Sequence, residues 1–350
     1  MILTAFFLFS ICFSILINGI LLRFSKNLGI RNNQDYTIRW SNQTKPSLGG
    51  ISFYIIFLFA IIFYAIFFGE DDVFRNAKLL GLFTAGTFAF VLGLADDAYN
   101  TRPFLKLAAQ ITTGFILVYT GSVLPISHIG WIDGAFTVIW VVGVMNSVNM
   151  LDNMDGITSI VSIFILLAAS FGFYWIYGQV STIWLVLNFS MIGALIGFLY
   201  YNWNPSKIFM GDAGSMFLGL YLAFTSIDSL WNVGVHYENH RWIGLLIALV
   251  AFTPAAADTL TVIINRLRKG QSPMVGGKDH TTHHLVYMGL NDRKVGIVFL
   301  SIALLSFLFA GLMIYFVSIQ TIFPIYIISL FFVVVFISLF RITQKFKSKD

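Results

Sequence analysis

The chain has 350 residues, of which 58% are hydrophobic and 11% charged, and its mean hydropathy is +0.83. Aromatic residues make up 17%, with 37 phenylalanines, more than a water-facing surface carries, so soluble, disordered, collagen-like and disulfide-stapled classes are excluded. The net charge of +5 would hint at nucleic acid in a soluble protein, but the basic residues sit in loops between apolar runs, which is a topology signal and speaks for a membrane and against nucleic acid.

Apolar runs of about 17 to 25 residues match the thickness of the hydrocarbon layer. Eleven occur, near residues 2–22, 49–69, 79–95, 107–124, 136–150, 157–177, 182–201, 214–231, 242–264, 295–317 and 321–340, with ten as the lower count because several are short. The first run lacks a basic leader and a small-residue cleavage site, so it is expected to be a retained helix. The lone Cys12 lies inside it and says nothing about redox compartment. The expectation is one all-α polytopic membrane domain over residues 1–350, without repeats or linkers. Alternate loops hold 18 of the 21 Lys and Arg residues, including Arg31, Arg39 and Lys349, against Arg75, Lys78 and Arg241 on the other side. That asymmetry places the N-terminus outside and the C-terminus in the cytoplasm.

Acidic residues gather at the same ends, among them Asp35 and Asp350, and ionisable groups at membrane boundaries are functional candidates. Asp96 and Asp97 close the third run, followed by Lys106 and Gln110. Two adjacent carboxylates need a reason to be held there, and a divalent cation or a basic group supplies one; the simpler reading is a solvated helix end. Asn149, Asp152 and Asp155 follow at three-residue steps, which would put them on one helix face as oxygen ligands suited to Mg²⁺; the simpler reading is a helix stop before Gly156. Gly211-Asp212-Ala213-Gly214 opens the eighth run, where close backbone approach and free N–H groups favour phosphate, or where Asp212 serves only as an N-cap. Asp258 follows Thr253-Pro254 inside the ninth run, where the proline should kink the helix, and Arg266 or Arg268 are its candidate partners. The last basic loop carries Lys278, Asp279, His280, His283 and His284. With no cysteine nearby and with basic neighbours, this loop suits an anionic phosphate better than zinc. Asp228, His236 and His240 fall toward the outer face and His128 in a loop, with no role assigned.

In this order the motifs Lys45-Pro46-Ser47-Leu48-Gly49-Gly50, Asp96-Asp97 with Lys106 and Gln110, Asn146 to Gly156, Asn202 ahead of Phe209-Met210-Gly211-Asp212, and the histidine-rich loop resemble the polyprenyl-phosphate N-acetylhexosamine-1-phosphate transferases (glycosyltransferase family 4) from about residue 40 to 290. Eleven spans with an outside N-terminus look more like the N-acetylglucosamine branch than the muramoyl-pentapeptide branch. The resemblance implies transfer of a sugar 1-phosphate from a UDP-sugar to undecaprenyl or another polyprenyl phosphate, with release of UMP. Such a reaction is the first membrane step of envelope polysaccharide synthesis, as for lipopolysaccharide O-antigen, at the cytoplasmic face of the inner membrane. By the same resemblance Asp212 and Asn149 would hold Mg²⁺, with Mn²⁺ as an alternative. Asp152, Asp155 and Asn202 would line the nucleotide end, with Lys45, Phe209, Gly211 and His280 also counted among the substrate-binding residues. Lys106, His283 and His284 would meet phosphate and sugar, and Asp96, beside Asp97, would position or deprotonate the lipid phosphate. A homodimer is left open. Two motifs depart from the family pattern: Asp152-Asn153-Met154-Asp155-Gly156 has Asn153 where the family has glycine, and His280-Thr281-Thr282-His283-His284 is one residue longer, so the sugar of the donor stays open. A flippase or transporter would place polar residues at the bilayer midplane and show repeats, and a CDP-alcohol phosphotransferase would carry an Asp-Gly-x-x-Ala-Arg signature that this chain lacks.

Overall fold

The computed structural model describes residues 2–27, 45–68, 73–127, 129–178, 183–236, 241–274 and 276–347. Arg31, Asp35, Arg39, His128, His240, Lys349 and Asp350 lie outside them. Among the described residues nearly all regular structure is α-helical, and none is strand.

The helices are α1 (Ile2–Asn27), α2 (Gly50–Phe67), α3 (Ala77–Tyr99), α4 (Pro103–Tyr119), α5 (Gly130–Leu151), α6 (Ile157–Tyr177) and α7 (Ile183–Asn202). They continue with α8 (Gly211–Ser226), α9 (Asn232–His236), α10 (Arg241–Ala251), α11 (Thr253–Arg268), α12 (Thr281–Tyr287), α13 (Asp292–Ser318) and α14 (Phe323–Lys345). A π-helical turn, Ile227–Trp231, joins α8 to α9, so the eighth span runs unbroken from Gly211 to His236. Nine described helices are long and apolar enough to cross a membrane, ten with α10 and α11 counted as one span, and the shorter apolar α4 accounts for the eleventh expected run. The protein is a polytopic all-α membrane protein.

Helix ends differ from the hydropathy reading for local reasons. Apolar character fails at Asp96, but the backbone ladder of α3 continues until Asn100, whose left-handed φ of 51° closes it by donating to the Asp96 carbonyl at 2.8 Å. Pro103 opens α4 four residues ahead of the expected start, because a proline in the first turn gives up no hydrogen bond. The ninth run is two helices crossing at 84°, with Pro254 in the first turn of the second. The proline therefore does more than kink this span: it starts a new helix.

Burial sorts the helices. Every residue from 213 to 231 is buried, which makes α8 the central post, and α2, α3, α5 and α6 pack around it. By contrast only Ile325, Leu339 and Thr343 of α14 are buried, as expected of a lipid-facing helix. At the end of the bundle away from Asp212, Lys78 on α3 reaches the buried Asp228 at 2.5 Å, and Asp228 also accepts from Ser122 at 2.8 Å. Asp228, left without a role by the sequence, ties α3, the α4–α5 connection and the π-turn together.

Candidate active site

The site forms where the last turn of α3, the first turns of α4 and α8 and the end of α5 meet. Asp96 and Asp97 are on the same turn of α3, and successive helical residues point about 100° apart, so the two carboxylates serve different partners. Asp96 faces Lys106 on α4, whose ammonium donates to it at 2.8 Å and to Asp212 at 3.0 Å. Asp96 also accepts the Thr101 backbone N–H at 2.8 Å and the Thr101 hydroxyl. Asn149, in the last turn of α5, donates to Asp212 at 2.5 Å and to Ser215 at 2.8 Å. One linked cluster therefore joins Asp96, Lys106, Asp212 and Asn149 from four helices.

Asp97 turns the other way. Its two oxygens accept the backbone N–H groups of Asp212 and Ala213, each at 2.9 Å. The N-cap position of α8, Met210, makes no side-chain cap, so a carboxylate from α3 supplies one. Asp212 is not the N-cap that the simpler sequence reading allowed; it stands in the first turn with its side chain turned to Lys106 and Asn149. Gly211 is at φ 77°, and a Cβ there would lie 2.8 Å from an Asp97 oxygen and 2.7 Å from the Ser47 carbonyl. That position requires glycine twice over, for its backbone region and for the space.

The Lys45 to Gly50 motif docks on the loop ahead of α8. Phe209 N–H donates to the Pro46 carbonyl at 2.9 Å, Gly49 N–H to the Phe209 carbonyl at 3.0 Å and Gly50 N–H to the Met210 carbonyl at 2.9 Å. Lys45 lies over the Phe209 ring at 5.2 Å and donates to the Ser206 hydroxyl at 3.1 Å. Ser206 in turn donates its hydroxyl to Asp155 at 2.7 Å and its N–H at 2.9 Å.

Here one expectation changes. Asn149, Asp152 and Asp155 do not share a helix face, because α5 ends at Leu151 and Asp152 is its C-cap. Beyond that point the three-residue rule no longer applies: Asn149 turns to Asp212, while Asp155 binds the Asn204 amide and the Ser206 backbone. Asn202 is 4% exposed and bridges the same region, accepting from Gly156 N–H at 3.0 Å and donating to the Ile208 carbonyl at 2.9 Å. These bonds make Asn202 a brace between the α5–α6 turn and the loop before α8.

The histidine segment begins α12. Asp258 pairs with neither Arg266 nor Arg268, contrary to the sequence expectation; it holds His280 Nδ1 at 2.8 Å and the N–H and hydroxyl of Thr281. Arg266 instead makes a two-bond pair with Asp279, at 2.8 and 2.7 Å, which keeps that carboxyl below its usual range despite partial burial. His284 Nδ1 meets the Phe346 carbonyl. Burial depresses His283 to about 3 and lowers His284, so both rings are neutral near pH 7. His283 and His284 therefore bring no positive charge to the segment. Thr282 reaches Asn153 at 2.7 Å, which brings α12 against the turn that carries Asp152 and Asp155.

All the oxygen donors of the cluster are hard ligands; two carboxylates, Asp96 and Asp212, share the Lys106 ammonium, and Asp97 beside them is held by backbone N–H groups. Among the described residues no three His, Cys, Asp or Glu side chains form a metal cage. Mg²⁺ needs none, because it takes one or two carboxylates and completes its shell with water and phosphate oxygens; the Asp212 carboxylate fits it, and Asn149, which here turns its amide nitrogen to Asp212, would offer its oxygen only with the amide reversed.

A family model described as glycosyl transferase family 4 matches residues 79–230. The chain is 26% identical to a probable undecaprenyl-phosphate N-acetylglucosaminyl 1-phosphate transferase of Bacillus subtilis, over 76% of this chain and 71% of that protein. It is 30% identical to a decaprenyl-phosphate N-acetylglucosaminephosphotransferase of Mycolicibacterium smegmatis, over 76% and 71% of the two chains. Against a phospho-N-acetylmuramoyl-pentapeptide-transferase of Streptococcus pneumoniae it is also 30% identical, over 79% and 87%. The matched span contains Asp96, Asp97, Lys106, Asn149 and Asp212, the residues that four helices bring to one point, and with relatives of this identity and coverage the chain belongs to glycosyl transferase family 4.

Proposed function

We propose that the protein transfers N-acetylglucosamine 1-phosphate, or a related N-acetylhexosamine 1-phosphate, from its UDP-sugar to a polyprenyl phosphate of the undecaprenyl type. The observation that carries this reading is the convergence of Asp96, Lys106, Asn149 and Asp212 at the ends of apolar helices. A lipid tail can stay in hydrocarbon there while its phosphate reaches water-soluble donor. The basic loops on that side support a site at the cytoplasmic face of the inner membrane.

An oxygen of the lipid phosphate attacks the sugar-bearing phosphorus of the UDP-sugar. The bond from that phosphorus to the bridging oxygen breaks, UMP leaves with the bridging oxygen, and the product is a lipid diphosphate sugar. Two anions must approach in line, so catalysis rests on charge neutralisation and positioning. Asp212 and Asn149 would hold Mg²⁺, which supplies screening of the diphosphate. Lys106 holds Asp96 and Asp212 at a fixed separation and offers its ammonium to a phosphate. Since a phosphate second pKa is ≈ 6, the nucleophile is already ionised near neutral pH, and Asp96 serves to place it. His280, His283 and His284 would meet donor phosphate or sugar from the α12 side.

Purified protein with radiolabelled UDP-N-acetylglucosamine and undecaprenyl phosphate tests this. Label should enter lipid with release of UMP, and chelation of divalent ions should stop it. Asp212→Ala should fold and not turn over. No turnover with any UDP-N-acetylhexosamine would refute the proposal.

A further inference from the structure

Asp258 is fully buried in α11, one turn beyond the break at Thr253-Pro254. A carboxylate cut off from water is tolerated only when its oxygens are satisfied by the protein. Asp258 has three donors. One oxygen takes Nδ1 of His280 at 2.8 Å; the other takes the Thr281 N–H at 2.8 Å and the Thr281 hydroxyl at 2.6 Å. All belong to two adjacent residues at the start of α12.

That helix has seven residues, too few to hold its own shape, and its N-cap residue, His280, makes no side-chain cap. The carboxylate from α11 does so instead. Because a carboxylate only accepts, it makes Nδ1 the protonated nitrogen of His280 and leaves Nε2 as the nitrogen able to meet another group. The ring of His280 packs edge to face on His283, with centroids 5.5 Å apart and planes at 88°, so an orientation set at the first histidine is passed to the second. On its far side α12 is pinned by Thr282 to Asn153, two residues before Asp155.

We propose that Asp258 is a positioning residue for the transfer reaction: its carboxylate holds His280 in the Nδ1–H tautomer and fixes the start of α12, presenting Nε2 of His280 to substrate bound against the α5–α6 turn. This rests on the transfer reading above. Asp258 itself, without solvent exposure, acts through His280.

The test uses full-length protein in detergent with UDP-N-acetylglucosamine and undecaprenyl phosphate. Asp258→Asn should lower kcat by about 10- to 100-fold, the usual loss for a partner that orients a histidine, with KM for both substrates little changed. Nitrogen-15 histidine spectra should show His280 leave the Nδ1–H tautomer, since an amide can donate to that nitrogen. His280→Asn keeps an N–H for Asp258 but lacks Nε2; it should retain the unfolding midpoint and lose as much kcat, and the double variant should be no slower than either single one. Should Asp258→Asn fail to fold, His280→Asn still decides, because normal turnover in it overturns the role. Undiminished kcat in folded Asp258→Asn, or a fall in kcat with the tautomer unchanged, also overturns it. If the unaltered protein turns over no UDP-sugar, the transfer reading itself fails, an outcome distinct from normal turnover in the unaltered protein and in both variants.

Discussion

Asp97 on α3 grips the backbone of Asp212 on α8, accepting its N–H and that of Ala213 at 2.9 Å each. The two adjacent acids of α3 thus divide their work: Asp96 shares Lys106 with the Asp212 side chain, and Asp97 fixes the peptide from which that side chain projects. Removing the second function leaves two N–H groups of the α8 first turn without their acceptor, a loss of about 1–2 kcal/mol for a cap. Asp97→Ala should therefore lower both the unfolding midpoint and turnover, whereas Asp97→Asn, which keeps one acceptor oxygen, should fall between. Thermal unfolding in detergent beside a turnover assay decides; an Asp97→Ala protein of unchanged midpoint would show that the cap contributes nothing.

Lys106 competes with any cation for Asp212, because its ammonium is 3.0 Å from the carboxylate that would bind the metal. Lys106→Met should cut turnover by roughly 10²- to 10³-fold, the scale for losing one electrostatic contact to a developing charge. The same change should lower the Mg²⁺ concentration for half-maximal rate, since a net positive charge has left the cluster. Lys106→Arg should not restore the rate, as a planar fork cannot replace a point charge shared by two carboxylates from different helices. A higher Mg²⁺ requirement in Lys106→Met would mean that Lys106 supports metal binding and does not oppose it.

The sequence makes the spans legible because membrane crossing is a one-dimensional property: length and hydropathy suffice, and each of the eleven apolar runs has a helix. It also makes the cluster at one membrane end legible, because alternate loops share a face and the acids sit in the helix ends beside those loops. Partnerships are a different matter. That Asp97 caps α8 depends on the backbone 115 residues away, and nothing in the run Ala95-Asp96-Asp97 separates a ligand from a cap. Asp258 is matched on sequence with the nearest cations, two turns on, but α11 carries Arg266 to Asp279, and the return of the chain through α12 delivers His280. The three-residue spacing of Asn149, Asp152 and Asp155 misleads for a similar reason, since helix periodicity says nothing about where the helix stops. Gly156 is the local stop signal, and the real end falls five residues earlier, at Leu151.

Close approach of α3 to α8 makes a glycine test possible. A Cβ at Gly93 would lie 2.4 Å from the Asp212 carbonyl oxygen and 2.5 Å from the Ala213 Cα, both backbone atoms that cannot yield without moving the helix. Gly93→Ala should cost about 1–3 kcal/mol as overpacking and displace Asp212 from Lys106, lowering turnover more than the midpoint suggests. Gly143 in α5 has nothing within 4 Å of its Cβ position, so Gly143→Ala should be neutral or stabilising by up to about 1 kcal/mol, the helix preference of alanine. Equal effects of the two substitutions would refute the steric argument.

Burial of His283 sets a pH dependence whose sign can be worked out. Folded, its ring takes a proton only near pH 3, held down first by desolvation and next by His280; in the unfolded chain it would take one near pH 6.5. Between those values the unfolded state binds more protons, so stability rises with pH there and is lost as pH falls below about 6.5. One such group contributes at most about 1.4 kcal/mol per pH unit. His284, also lowered by burial, adds in the same direction, and Asp279, held low by Arg266, adds only below the ordinary carboxylate range. The unfolding midpoint in detergent should therefore drop between pH 7 and pH 5, and His283→Asn, which cannot titrate, should flatten that drop while lowering the midpoint at pH 7. An identical pH slope in the variant would mean that His283 is as accessible to protons in the folded protein as in the unfolded one, and that the packing of α12 against Asn153 is looser than its bonds imply.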